Sequence, residues 1–184
     1  MKKIAVLSSS VRNGRLSHRV ALFVRDYIDR TGGAKADLID LLAYDFPVFH
    51  ERLMFQKNPS EAVLDFAERF KSADGLIIVS PVYNADFPAA LKNVIDLFYK
   101  EWYHKPVGVV SVTSGVVPPI STIQKIQALL LNLKALAVPG IYTVIQAGES
   151  FAEDGAPMQP DEANARIKPL VDDLLWLMSK AESK

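Results

Sequence analysis

The stretch GLIIVSPVYNADFPAALKNVIDLF, residues 75–98, decides how the chain is built. Its first part, Gly75 to Ser80, is a short and almost uninterrupted apolar run, as expected of a parallel strand covered on both faces. Leu91, Ile95 and Phe98 then recur at helical spacing. Between strand and helix lies a polar loop stiffened by Pro81 and Pro88. The same strand, loop, helix order recurs on either side of this unit.

Toward the N-terminus, Lys3 to Ser8 predicts a first strand, and Leu16, Val20, Val24 and Tyr27 or Ile28 mark a helix closed by Gly32-Gly33. Ala36 to Leu42 predicts a second strand, followed by a long connection, Ala43 to Lys57, that shows no clear period. Asn58-Pro59-Ser60-Glu61 has the pattern of an N-cap with proline at the first helical position, and Val63, Ala67 and Phe70 share one face of the helix that follows. Toward the C-terminus, Pro106 to Thr113 predicts a strand, Ile120 to Leu136 a helix and Ile141 to Gln146 a fifth strand. After a polar loop, Ile167, Leu170, Val171, Leu174, Leu175 and Met178 define a last helix, which Pro169 would kink or delay.

Strands alternating with helices predict an α/β fold, a doubly wound five-stranded parallel sheet in the order 2-1-3-4-5, within one domain spanning residues 1–184. Ligands of such sheets bind beyond the carboxyl ends of the strands, where the direction of winding reverses. The loops after the first, third and fourth strands are therefore the places to look for chemistry.

Composition narrows the chemistry. Lys plus Arg and Asp plus Glu both number 21, so no global field recruits a nucleic acid. The absence of cysteine excludes disulfides, thiolate metal sites and thiol nucleophiles, and suits a reducing cytoplasm. Redox chemistry would need a cofactor. His18, His50 and His104 lie far apart without acidic partners at ligand spacing, so no bound metal is expected. His18 itself reads as a surface helix residue. No run is long and apolar enough for an export signal or a membrane span, and Ile120 to Val138 is interrupted by Gln124, Lys125, Gln127, Asn132 and Lys134.

The first loop brings Ser10, Arg12, Arg15 and Ser17 to a helix N-terminus. Hydroxyls, guanidinium groups and helix N–H groups can jointly satisfy a phosphate monoester of about −1.5 to −2 charges. Serines that merely cap the helix beside solvated arginines would explain the same residues. In the second loop, Pro81, Val82, Tyr83 and Asn84 offer an aromatic surface and backbone amides for a heterocycle's polar edge. A proline-rich turn, with Tyr83 on the core and Asp86 as a helix cap, is the plainer alternative. In the third, Ser114 and Gly115 permit close approach of a flat ligand, and a tight turn explains them almost as well.

Two motifs carry a resemblance that covers nearly the whole chain. SSSVRNGRLSHRV, residues 8–20, is similar to the phosphate loop of the NADPH-dependent FMN reductases, the flavodoxin-like quinone, azo-dye and chromate reductase group. PVYNADFPAALKNVIDLF, residues 81–98, resembles that family's flavin-ring loop. The resemblance implies FMN, with Ser10, Arg12, Arg15 and Ser17 at its phosphate and Pro81, Tyr83 and Asn84 along its ring, and Val82 adding backbone contacts. Lys92, Asn93 and Asp96 match the motif too but are expected to brace the turn. Ser9, Val82 and Asp86 stand where the family usually has Gly, Glu and Ser.

The implied activity is electron transfer from NADPH or NADH through FMN to a small acceptor: FMN, a quinone, an azo compound or a metal oxyanion. The cofactor carries the chemistry, so no catalytic side chain is required. A flavodoxin-type electron carrier and a non-enzymatic flavin-binding domain are the rival readings, and the neutral net charge speaks against the first. The strongly apolar Ile120 to Val138 segment suggests burial either in the core or in a homodimer or homotetramer interface. The aromatics Tyr44, Phe46, Phe49 and Phe55 of the long connection would serve core packing or cover the ring.

Overall fold

The computed structural model describes residues 1–181. Five parallel strands form one sheet: β1 Lys3–Ser8, β2 Lys35–Asp40, β3 Gly75–Pro81, β4 Pro106–Val112 and β5 Leu136–Val144. Their order is β2-β1-β3-β4-β5, as the alternation of elements requires. The main helices are α1 Leu16–Thr31, α2 Glu61–Ser72, α3 Ala89–Leu97, α4 Ile120–Asn132 and α5 Pro160–Ala181. None among the described residues is long and apolar enough to cross a membrane.

The central strands are buried on both faces, and alternate residues feed two cores. Ile4, Val6, Ile77, Val79 and Val110 meet α1 and α5 on one side. Ala5, Leu7, Leu76, Ile78, Val107 and Val109 meet α2, α3 and α4 on the other. The chain winds outward from β1 and β3 in opposite directions, and sheets of this topology bind ligands beyond the carboxyl ends of the strands at that switch point.

Several boundaries differ from the sequence reading. β2 stops at Asp40 because the Asp40 side chain accepts the Leu42 N–H at 3.1 Å and starts a single helical turn, Leu41–Tyr44. Ser60, not Asn58, caps α2, its hydroxyl accepting the Val63 N–H at 3.4 Å. α4 ends at Asn132, where Lys134 takes a left-handed conformation (φ 59°), and the chain enters β5 five residues earlier than expected, at Leu136. Pro139 is tolerated there because β5 is an edge strand and its pairing with β4 shifts register between Val107 and Val109. Pro169 lies inside α5 without ending it.

β2 also carries two acids whose titration should be visible in stability. Asp37 accepts bonds of 3.3 and 2.5 Å from Arg69 and pairs with Lys3 at 3.0 Å. Burial pushes its carboxyl up, but the bonds from Arg69 and Lys3 outweigh this and hold it below the usual carboxylate range. A carboxylate depressed in the folded state binds fewer protons there than in the unfolded chain. Its contribution is therefore complete above the unfolded value near 4 and is lost as pH falls through the folded value. Thermal melts between neutral pH and about pH 3 should show D37N less stable than the parent at neutral pH, with the gap closing on the acid side. A constant gap would mean that the pair is not what Asp37 contributes.

Candidate functional site

The first loop leaves β1 under tight backbone control. Ser9 donates to the Val79 carbonyl of β3 through both its N–H, at 3.2 Å, and its hydroxyl, at 2.9 Å. It does so without positive φ, so its backbone does not call for glycine. The turn is made instead at Gly14, whose φ of 67° suits glycine. α1 then begins at Leu16 with no side-chain cap and no acid in its first turn. Ser17, in that turn, is buried, and its hydroxyl has no partner among the described residues.

The four phosphate candidates divide into distinct environments. The Ser10 hydroxyl shares a 2.6 Å hydrogen bond with the Tyr83 phenol and accepts the Arg12 N–H at 3.3 Å. Arg12 is exposed, with its guanidinium 6.0 Å from the centre of the Tyr83 ring. Arg15 is not free as the sequence suggested: it donates to the Ser10 carbonyl at 2.7 Å and grips both carboxylate oxygens of Asp40.

His18 also departs from the sequence reading. It is half-buried, shares a 3.0 Å hydrogen bond with the Ser8 hydroxyl and lies 3.7 Å from the Asp40 carboxylate. Burial, reinforced by Arg15, holds its imidazole below the ordinary value although Asp40 pulls the other way. Sequence reasoning missed Asp40 because it lies 25 residues from Arg15. The signal was available, however, since Asp40 ends the strand next to β1 and therefore reaches the same edge of the sheet.

In the second loop, Pro81 closes β3 and Tyr83 and Asp86 exchange backbone hydrogen bonds of 2.8 and 3.0 Å. The two residues between them, Asn84 (φ 51°) and Ala85 (φ 60°), are both left-handed, as a two-residue type I′ turn requires. The Val82 N–H donates to the Val112 carbonyl at 3.1 Å and the Tyr83 N–H to Asp86. Of the three amides expected to face a ligand, only that of Asn84 lacks a partner among the described residues.

Asp86 does not cap α3, whose N-cap is Pro88. Its carboxylate takes the Phe87 N–H and Lys125 of α4, both at 2.8 Å, and Lys125 also donates to the Ala85 carbonyl. The charge at Asp86 is thus matched from the neighbouring helix. Asn93 braces the long connection rather than the turn, accepting the Phe49 N–H at 2.6 Å and donating to the Pro47 carbonyl at 2.9 Å.

Ala85 is the strained member of the turn, because a left-handed alanine costs roughly 1–2 kcal/mol. Ala85→Gly should relieve more than the backbone entropy it adds, raising stability by about 0.5–1 kcal/mol. Chemical denaturation checks this, and a decrease would show that Lys125 and Asp86 hold the turn without strain.

The third loop is fastened at both ends. Thr113 accepts the Gly115 N–H through its hydroxyl at 3.1 Å, and the Gly115 carbonyl accepts the Gln146 N–H at 2.9 Å. Ser114 and Gly115 are exposed, and the loop continues into Val116 and Val117, also exposed. A separate cavity of 340 Å³ lies beyond β5, among Tyr142, Gln146, Phe151, Glu162 and Arg166. None of the ten candidate residues lines it.

The pattern that defines the NADPH-dependent FMN reductases matches residues 2–149, from the start of the chain through the last of these loops. The chain belongs to the NADPH-dependent FMN reductase family. Among its relatives, an NADPH azoreductase of Bacillus sp. strain OY1-2 is 26% identical over 174 residues, covering 94% of this chain and 88% of that protein. A quinone reductase of Pseudomonas putida is 24% identical, with 92% and 90% covered. The flavoenzyme NAD(P)H:(acceptor) oxidoreductase FerB of Paracoccus denitrificans superposes with a TM-score of 0.79 over 98% of this chain and 99% of its own, at 24% identity, and so shares the fold.

The residues of the first loop fit the phosphate end of FMN. The buried Ser17 hydroxyl and the Arg12 guanidinium, both without a hydrogen-bond or ion-pair partner among the described residues, and an uncapped helix N-terminus can all donate. A phosphate ester needs only acceptors satisfied. The bond from Ser10 to Tyr83 ties this cradle to the loop that carries the aromatic surface.

Proposed function

We propose that the chain is a single-domain, FMN-dependent NAD(P)H oxidoreductase that passes electrons to a small acceptor, such as FMN, a quinone, an azo compound or a metal oxyanion. The observation that carries this reading is the Ser10–Tyr83 hydrogen bond, which joins a phosphate cradle without acidic side chains in its helix's first turn to an aromatic loop at the carboxyl ends of the strands. The names of the Bacillus azoreductase and the Pseudomonas quinone reductase support it.

Bound FMN would supply the redox chemistry, taking electrons from reduced nicotinamide and yielding them to the acceptor. The protein's task is to bind and orient. Ser10, Ser17, Arg12 and the first-turn N–H groups of α1 would hold the phosphate. Arg15 would act from behind, through the Ser10 carbonyl. Pro81, Tyr83 and the Asn84 N–H would border the ring, with Ser114 and Gly115 of the third loop beside it. Val82, its N–H already used by β4, would add at most its carbonyl or side chain.

Homo-oligomerisation and a cytoplasmic setting belong to the same reading. α4 buries Ile123, Ile126 and Leu130 but leaves Ile120 and Leu131 exposed, and Val116 and Val117 of the loop before it are exposed as well. A homodimer or homotetramer built over this face would cover apolar surface beside the third loop. Light scattering at high micromolar concentration should return a multiple of the chain mass, and a monomer would remove this part of the reading.

The activity is tested by steady-state oxidation of NADPH and NADH with added FMN and a quinone. Turnover with parallel double-reciprocal lines is expected, since donor and acceptor would use the same flavin in alternation. Reduction only by a protein reductase, without direct NAD(P)H oxidation, would favour a flavodoxin-type carrier. Flavin binding with no turnover of any acceptor would favour a non-enzymatic domain.

A further inference from the structure

Asp40 was not among the residues that the sequence pointed to, yet it controls the charge of the phosphate loop. Its Oδ2 takes Nη2 of Arg15 at 2.5 Å and its Oδ1 takes Nη1, the same nitrogen that donates to the Ser10 carbonyl at 2.7 Å. Both partners are largely sheltered, with side-chain exposures of 11% for Arg15 and 23% for Asp40. Burial alone would push the Asp40 carboxyl up. Hydrogen bonds from Arg15 and the Leu42 N–H, and the charge of Arg15, more than reverse this, so it is ionised at neutral pH. His18, 3.7 Å from Asp40, is held neutral there by burial and by Arg15.

The Arg15, Asp40 and His18 cluster therefore sums to zero charge at neutral pH. Of the two guanidinium groups in the loop, only Arg12 is left without an ion pair among the described residues. One positive charge then faces a phosphate carrying about −1.5 to −2. Charge-assisted bonds from arginine to phosphate are strong, and an arginine already spent on a carboxylate contributes less of that attraction.

We propose that Asp40 is a positioning residue that sets how strongly the loop holds the flavin phosphate, by neutralising Arg15, so that FMN is held as an exchangeable ligand. The proposal rests on the reading of residues 9–17 as the phosphate site. Asp40 touches neither substrate nor cofactor in this arrangement. It acts through Arg15 and, by way of the Ser10 carbonyl, on the backbone that presents the Ser10 hydroxyl.

The test is the affinity of the whole protein for FMN and for riboflavin, which lacks the phosphate, measured by flavin fluorescence for the parent, D40N and D40E. Asparagine keeps the shape of Asp40 and can still accept the Leu42 N–H while removing the charge. D40N should bind FMN about tenfold more tightly than the parent, with slower release, because an unpaired Arg15 then acts on the phosphate through a partly desolvated medium. Riboflavin affinity should change by no more than about twofold, and the gain for FMN should shrink in high salt. D40E, which keeps the charge, should restore the parent's ratio of FMN to riboflavin affinity.

FMN affinity in D40N that is unchanged, weaker or raised equally for riboflavin would overturn the proposal and leave Asp40 a simple brace. Should D40N fail to fold, D40S, uncharged and still able to cap Leu42, gives the same readout. A parent protein with no preference for FMN over riboflavin would defeat the phosphate-site reading itself, and the proposal with it. A clear preference in the parent without a gain in D40N defeats the proposal alone.

Discussion

Replacing Arg12 by alanine is expected to weaken FMN binding by about ten- to a hundredfold, the loss of one or two charge-assisted hydrogen bonds. Arg12 is exposed, and its guanidinium stands 6.0 Å from the Tyr83 ring centre. With Arg15 tied to Asp40, it is the loop's available cation. Riboflavin affinity should fall by no more than about twofold, since its ring would lose only a weak cation–π neighbour. Paired fluorescence titrations make the distinction. Equal losses for both flavins would place Arg12 at the ring instead of the phosphate.

The largest effect on stability is expected at Phe66. It stacks on Phe98 at 4.7 Å and Phe70 at 5.9 Å, and meets Tyr44 and Phe46 edge-on at 5.3 and 5.6 Å. Phe70 in turn meets Trp102 at 4.7 Å. Phe66 is fully buried, so Phe66→Ala removes the middle of an aromatic column that ties α2 to the long connection after β2. The cost should be about 3–5 kcal/mol, from lost burial plus the cavity left behind. For a chain of this size that lowers Tm by roughly 10 °C. A loss below about 1 kcal/mol would mean that the column collapses onto the gap. The same packing settles the use of the connection's aromatics, for Tyr44, Phe46 and Phe49 lean on this core while Phe55 remains 60% exposed.

Much of the fold was legible because the central strands are buried on both faces and the helices on one. Continuous apolar runs such as Gly75 to Ser80 and helical spacing such as Leu91, Ile95 and Phe98 follow directly from that burial. β5 was harder to read. Leu136 to Val138 continues the apolar character of α4, and the change of direction rests on a left-handed Lys134 and a register shift opposite Gly108, neither of which has a local signature.

The loops of the candidate site were picked out for a different reason, the rule that α/β sheets bind ligands at the carboxyl ends of their strands. The commitments of individual side chains were not. Whether Arg15 faces a phosphate or a carboxylate depends on Asp40, and whether Tyr83 lies on the core or at the site depends on Ser10, 73 residues away. Asp86 read as a cap because no local feature announces Lys125. Pairings across the top of the sheet are set by topology, so they become readable only after the strand order is known.

The most direct test is to mix the protein, in excess over FMN so that the flavin is bound, anaerobically with NADPH and, separately, with NADH. If the three loops hold FMN for electron transfer, the bound yellow colour bleaches with at least one donor and returns when a quinone is added. Retained colour that neither donor bleaches would contradict flavin reduction by this protein. Failure to bind FMN even in direct titration would contradict the site itself.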